Sequence, residues 1–201
     1  MKKKILVVYA TNAGSTADVA ELVKTTLANK ELDVELRPLG EVSSVEAYDA
    51  VVVGAPLILG WQRAAKKFIN KHQDQLAKKP VAYFLTAMSL TETRETVIDG
   101  VPIQVDPGLA KPPRNPKWLS IKELYTLPLN YVRPILKAAP RVKPLAIGLF
   151  GGYLNLFTLS WPARLFVLLV IQARPGDLRD ESFIKNWAVN LRAQLIKSWL
   201  K

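Results

Sequence analysis

The chain contains no cysteine in 201 residues, which excludes disulfides, zinc-thiolate centres and thiol catalysis and leaves the redox compartment unmarked. Two phosphate-binding patterns are also missing. No Gly-Lys-Ser/Thr ending of the Walker type and no three-glycine dinucleotide fingerprint follows the first apolar run. Nor does any stretch reach the roughly 20 apolar residues of a membrane-spanning helix. At the N-terminus, Met1, Lys2, Lys3 and Lys4 precede an apolar run that stops after Val8 and passes into a polar loop, unlike a signal peptide. We therefore expect a cytoplasmic protein.

What is present is concentrated first in residues 5–23. Ile5, Leu6, Val7, Val8 and Tyr9 form a β-branched, apolar run that ends in Thr11, Asn12, Ala13, Gly14, Ser15 and Thr16. Val19, Leu22, Val23 and Leu27 follow at helical spacing. A strand that delivers a hydroxyl-rich loop to a helix N-terminus makes an anion site, because the first helical amides lack partners and the dipole is positive there. Gly14 lets the backbone turn in closely. No Lys or Arg lies in the loop, so hydroxyls and amides would do the binding.

The pattern then repeats. Residues 33–38 alternate as a second, less buried strand, and residues 50–56 form a continuous apolar run suited to a central parallel strand. The loop after it, Pro56, Leu57, Ile58, Leu59, Gly60 and Trp61, is apolar where solvated residues would be ordinary. It suits the wall of a flat apolar ligand. Trp61 is in phase with Ala65, Phe68, Ile69 and His72, so packing at a helix start and contact with a ligand both stay open. His72 lies among Lys71, Gln73 and Asp74 and reads as a solvated or capping residue. Residues 81–86 form a fourth strand, followed by Ala87, Met88, Ser89 and Leu90. Five prolines between residues 102 and 116 exclude a regular helix or a central strand, leaving a long ordered loop or an appended hairpin with Asp99-Gly100 in a turn. A helix over residues 124–139, bent at Pro134, a fifth strand at 145–152 and a last helix begun by Asp180-Glu181 complete the chain.

Thr11, Gly14 and Thr16 reproduce Thr-x-x-Gly-x-Thr, and the loop resembles the phosphate loop of the flavodoxins, which wraps the phosphate of FMN. The resemblance implies a flavodoxin-like three-layer α/β/α sandwich with a five-stranded parallel sheet in the order 2-1-3-4-5. It also implies FMN as cofactor, with residues 11–16 on the phosphate and residues 56–61 and 87–90 around the ring. The Gly54-Ala55 to Gly60 segment, Phe68, Ile69, Lys71 and His72, and the stretch from Trp161 to Trp187 look like a narrower group. That group is the menaquinone-dependent protoporphyrinogen oxidases and their flavodoxin-domain relatives. It implies an enzyme that oxidises a substrate at FMN and passes electrons to a membrane quinone. No side chain stands out as acid, base or nucleophile, and no metal ligand set appears. The alternatives are a flavodoxin-type electron carrier without a small-molecule substrate, and a docking module without flavin.

Charge is uneven. The net charge is +11, yet residues 1–106 carry 13 basic and 13 acidic side chains, while residues 107–176 carry 10 and 1. That block also holds the apolar run 165–171, flanked by Trp161, Arg164 and Arg174. The combination suits a peripheral contact with an anionic membrane on the inner face of the cell membrane; a buried helix with solvated charges is the other reading. Aromatics are not interleaved with the basic residues, which argues against nucleic acid. We expect one domain over residues 1–201, with a basic insertion at about 91–124 and an apolar helical elaboration at about 153–173.

Overall fold

A computed structural model describes residues 2–12, 14–57, 60–115, 117–154, 161 and 176–200. Strands and helices alternate through the first half as β1 (Lys3–Tyr9), α1 (Ser15–Leu27), β2 (Leu32–Pro38), β3 (Ala50–Pro56), α2 (Arg63–Lys71), α3 (Gln73–Leu76) and β4 (Val81–Ala87). The second half adds β5 (Leu90–Thr91), β6 (Val97–Ile98), β7 (Val101–Val105), β8 (Ala110–Lys111), α4 (Ile121–Tyr125) and α5 (Pro128–Ala138). It ends with β9 (Ile147–Gly151), β10 (Tyr153–Leu154), β11 (Gly176–Asp177) and α6 (Glu181–Trp199).

The main sheet runs β2-β1-β3-β4-β9-β7-β6. Its first five members are the expected five strands in the expected order, all parallel. Two further strands extend the sheet, and both come from the proline-rich insertion. β6 and β7 form a hairpin across Asp99 (φ 49°) and Gly100 (φ 80°), the left-handed pair that two-residue hairpin turns require. β7 then lies parallel to β9 through Ile103, Gln104 and Val105. Pro102 falls just before that pairing begins, so its missing N–H removes no bond to β9.

Two apolar layers sandwich the sheet. One gathers α1 and α6 around Ile5, Val7, Val52 and Phe84; the other gathers α2 and α5 around Leu6, Val8, Val53 and Leu85. β1 leads through α1 to a neighbour on one side, and β3 through α2 to a neighbour on the other, so right-handed crossovers put the two helices on opposite faces. The residues of β3 from Ala50 to Ala55 are all buried, as a strand covered on both faces must be. Each buried valine of β3 contributes about 1.5 to 3 kcal/mol through removal from water.

The expected helix over 124–139 is two helices. Leu124 and Tyr125 end the short α4, and Pro128 opens α5 at its first turn, where a proline costs no hydrogen bond. Ser120 and Glu123 cap α4 reciprocally: the Glu123 amide donates to Ser120 Oγ (3.3 Å), and the Ser120 amide donates to Glu123 Oε2 (2.8 Å). The Arg114 amide donates to Glu123 Oε1 (2.8 Å). The Ser120 hydroxyl also donates to Glu123 Oε2 (2.6 Å), and this bond leads those from the Arg114 and Ser120 amides in holding the Glu123 carboxyl down at about 2. A carboxyl depressed on folding stabilises above its ordinary value of 4.5 and loses that contribution as pH falls towards its folded value. An NMR titration of the Glu123 side-chain carboxyl should therefore show its midpoint well below 4.5. A midpoint at or above 4.5 would sink the assignment.

Among the described residues, no helix is long and apolar enough to cross a membrane. The expected apolar helix at 165–171, and residues 155–160 and 162–175 generally, lie outside the described residues; Trp161 is described and exposed.

Candidate functional site

The parallel strands of the sheet end together, so the loops that leave β1, β3, β4 and β9 share one edge. Backbone bonds tie these ends to one another: the Ala10 amide to the Gly54 carbonyl (2.9 Å), Leu57 to Thr86 (2.8 Å) and Gly152 to Ala87 (2.8 Å). In open α/β sheets, ligands bind outside the carboxyl ends of the strands where the order reverses. Here that point lies between β1 and β3.

The loop after β1 is preorganised by its own hydroxyls. Thr11 Oγ1 accepts from the Gly14 amide (2.9 Å), closing a turn before α1. Gly14, at φ 90°, is the residue before the helix, and a Cβ there would have open space around it but strained backbone. Ser15 and Thr16 are buried in the first turn. Thr16 Oγ1 lies 2.8 Å from Thr86 Oγ1 on β4, a bond buried beneath the loop. Ser15 Oγ accepts from the Tyr153 amide (2.7 Å), which leaves its own proton for another acceptor. Asn12 Oδ1 accepts from Gln62 Nε2 (2.5 Å), linking the loop to the start of α2.

The loop after β3 is pinned by a bridge between Leu57 and Trp61. Trp61 is buried: its indole N–H donates to the Ala55 carbonyl (3.2 Å), and its ring packs against Tyr83 with centroids 5.5 Å apart. Of the two readings of this residue, the packing one describes its ring here. Burial pushes the Tyr83 phenol above its ordinary value, so it stays neutral. Pro56, Leu57 and Gly60 are partly exposed beside it. In the loop after β4, Ala87 and Leu90 are buried while Met88 and Ser89 are partly exposed. Ala13, Ile58 and Leu59 lie outside the described residues. His72 caps, as expected, closing α2 and opening α3, but it is not solvated. It is buried between α2 and α3 with its ring against Phe68 (4.7 Å), and desolvation lowers its pKa.

Three residues enter the site's framework that the sequence pattern did not single out. Thr86 anchors Thr16. Gln62 bridges two loops, and its Oε1 is buried with no partner among the described residues, an acceptor that a ligand hydroxyl would satisfy. Asp106 is fully buried, its carboxylate accepting from the Gly108 amide (2.8 Å) and the Gly151 amide (3.4 Å). Asp106-Pro107-Gly108 is a turn signal in the sequence; its link to β9 is visible only in three dimensions.

The electrostatics of the edge are those of dipoles. None of its loop residues at 11–16, 56–61 and 87–90 is ionisable. Among the described residues there is also no cluster of three His, Cys, Asp or Glu side chains able to hold a metal ion. An anion at the start of α1 would be met by free first-turn amides and by hydroxyl protons. These donors, the open backbone at Gly14 and the orphaned Gln62 acceptor fit a phosphorylated ligand with hydroxyls along its chain.

Comparison with known proteins bears on the fold and the family. No curated protein matches the chain. Among solved structures it is similar to a short-chain flavodoxin associated with a non-canonical PDU bacterial microcompartment, at 14% identity over 98% of each chain with a TM-score of 0.52. It is also similar to an oxidoreductase from Corynebacterium diphtheriae (16% identity, 98% of each chain, TM-score 0.49). A third likeness is to oxidised Flavodoxin 2 from Bacillus cereus, at 17% identity over 95% of this chain and 99% of that one, with a TM-score of 0.49. The family model for the flavodoxin domain matches residues 6–179, from β1 through the segment after β11. With the strand order, the loop and that match in agreement, the chain belongs to the flavodoxin domain family.

Proposed function

We propose that this protein is an FMN-dependent oxidoreductase, folded as one flavodoxin-like domain, that takes electrons from a reduced substrate and passes them to a membrane quinone. FMN is the cofactor of flavodoxin domains, and bound FMN would supply the acceptance and release of electrons. The observation that carries the reading is the meeting of a cation-free hydroxyl and amide loop with two apolar loops at the switch point of the sheet.

The roles of the chain's own residues follow from their contacts. The amides of Ser15 and Thr16 and the hydroxyls of Thr11, Ser15 and Thr16 would bind the phosphate. Asn12 and Gln62 would orient the chain that carries it. Pro56, Leu57, Ile58, Leu59, Gly60 and Trp61, with Ala87, Met88, Ser89 and Leu90, would wall the ring and keep water from it, Trp61 acting from behind through packing. No residue is assigned as an acid or base. The narrower reading, a dehydrogenase resembling the quinone-linked protoporphyrinogen oxidases, draws support from the basic block at 107–176, which suits a substrate bearing carboxylates.

A second reading, a carrier of single electrons between protein partners, is favoured by the absence of ionisable groups from the loops at the edge. Anaerobic stepwise reduction of the purified protein supplied with FMN, followed by visible absorption, separates the two. Passage to full reduction in one two-electron step, with reoxidation by a quinone, is the expected result. Two resolved one-electron steps would favour the carrier. Failure to bind FMN would sink both and leave a docking module.

A further inference from the structure

Within the basic block, residues 111–115 and 117–125 form an exposed surface whose apolar side chains have no role in the flavin site. Trp118 is 80% exposed, Ile121 89%, Leu124 52% and Tyr125 45%. With Leu119 at 37%, five large apolar side chains within eight residues are turned outward, unlike the scattered exposed apolar residues of an ordinary surface. A sequence that only needed to close a loop would not require them. The short α4 and the residues just before it present them, and α4 covers none of the core, for none of its residues is buried.

The charges around them have one sign. Lys111, Arg114, Lys117 and Lys122 are exposed, and among the described residues no carboxylate lies within ion-pair distance of any of them. The single acid of the stretch, Glu123, is turned back onto the Ser120 and Arg114 amides. The outward face therefore carries four cations around an apolar tip.

The patch is fixed next to the candidate site. On β5, which continues the loop at residues 87–90, the Leu90 amide donates to the Leu109 carbonyl (3.1 Å) and the Thr91 amide to the Thr126 carbonyl (3.0 Å). Thr91 Oγ1 donates to the Glu123 carbonyl (2.8 Å). A docking event at α4 thus takes place on an element bonded to β5, the strand that prolongs one wall of the site.

We propose that residues 111–125 are a membrane-docking element that inserts Trp118 and Ile121 at the surface of a bilayer rich in anionic lipid, with the four cations among the headgroups. Charge complementarity selects an anionic occupant, and the shape of the apolar part selects lipid over an acidic protein. Trp118 and Ile121 are convex and almost fully exposed; a protein would need matching pockets for them, whereas a bilayer accepts convex apolar tips without any complementary shape. Trp and Tyr at the borders of an apolar tip, beside Lys and Arg with long apolar stems, are the residues that headgroup regions favour. Lipid docking does not depend on the flavin.

Cosedimentation of the full chain with vesicles of phosphatidylcholine, or of phosphatidylcholine mixed with phosphatidylglycerol, tests this. Binding should require the anionic lipid and weaken as salt is raised. Lys117→Glu with Lys122→Glu should lower it by about fivefold or more per position. Trp118→Ser with Ile121→Ser should lower it by about tenfold or more, and because these side chains are exposed, circular dichroism and FMN binding should stay unchanged. Binding that ignores both pairs of substitutions, or no binding to anionic vesicles at low salt, overturns the proposal. Capture of an acidic protein by the wild type but not by the Trp118→Ser, Ile121→Ser variant, with no vesicle binding, would assign the patch to a protein partner instead.

Discussion

Replacing Ser15 and Thr16 together by alanine should weaken FMN binding by about two to four orders of magnitude. A hydrogen bond to a charged group contributes about 1.5 to 3 kcal/mol, and each 1.4 kcal/mol is tenfold in affinity. No lysine or arginine stands in the loop to take over, so the hydroxyls carry a larger share of phosphate binding than they would in a cation-bearing loop. The two positions differ in a way that single variants expose. Thr16→Ala also leaves Thr86 Oγ1 without its buried partner, so it should lower thermal stability as well as affinity. Ser15→Ala removes the acceptor of the Tyr153 amide nearer the surface and should act on affinity more than on stability. Isothermal titration with FMN, beside a melting curve of each variant, separates the effects. Unchanged affinity in the double variant would refute the phosphate assignment.

The second large effect lies away from the ligand. Gly151→Ala should destabilise the protein by about 3 kcal/mol. An added Cβ would stand 1.7 Å from the Leu178 carbonyl oxygen and 2.4 Å from its carbon, and backbone, unlike a side chain, has no rotamer by which to yield. The Gly151 amide is also one of the donors to the buried Asp106 carboxylate, so any shift that relieves the clash loosens a group that cannot reach water. At this chain length the expected fall in melting temperature is roughly 6 to 12 °C. Gly40→Ala is the control: no atom lies within 4 Å of its added Cβ and its φ is ordinary, so it should shift the melting point little. Equal melting curves for the two variants would contradict the close approach of β9 and Leu178.

Both results bear on what a sequence reader can find. The loop at residues 11–16 was legible because everything that makes it, from apolar strand to small polar turn to helix, lies within some twenty consecutive positions. The strand order came with the family resemblance that this loop carries, and the alternation of strands and helices is compatible with it. Thr86, Gln62 and Asp106 were not legible as site residues. Each acts through a contact with a distant residue: Thr86 with Thr16, Gln62 with Asn12, Asp106 with Gly151. No local pattern encodes such a pairing. Trp61 and His72 show the same limit from the other side. Helical phase put both on one face, but only the packing of Tyr83 and Phe68 against their rings determines how deeply they are buried. The insertion misled in one respect. Its prolines suggest no strand inside the sheet, yet β7, which holds Pro102, lies between β9 and β6, and the three residues that pair with β9 come after Pro102 and before Pro107, a window too short for its periodicity to stand out.

That pairing also decides how the docking arm can be studied. Without β7, the outer edge of β9, all five of whose residues are buried, would present unpaired amides and carbonyls on an apolar strand, which is a template for aggregation between chains. The stretch that carries the exposed apolar tip is therefore continuous with the one that seals the sheet. Excising residues 91–124 to abolish lipid binding would also open the sheet to other copies of itself, and loss of the soluble protein would be mistaken for loss of docking. Point substitutions on α4 and at the residues just before it leave the seal in place, and only they can tell adhesion to a bilayer apart from self-association.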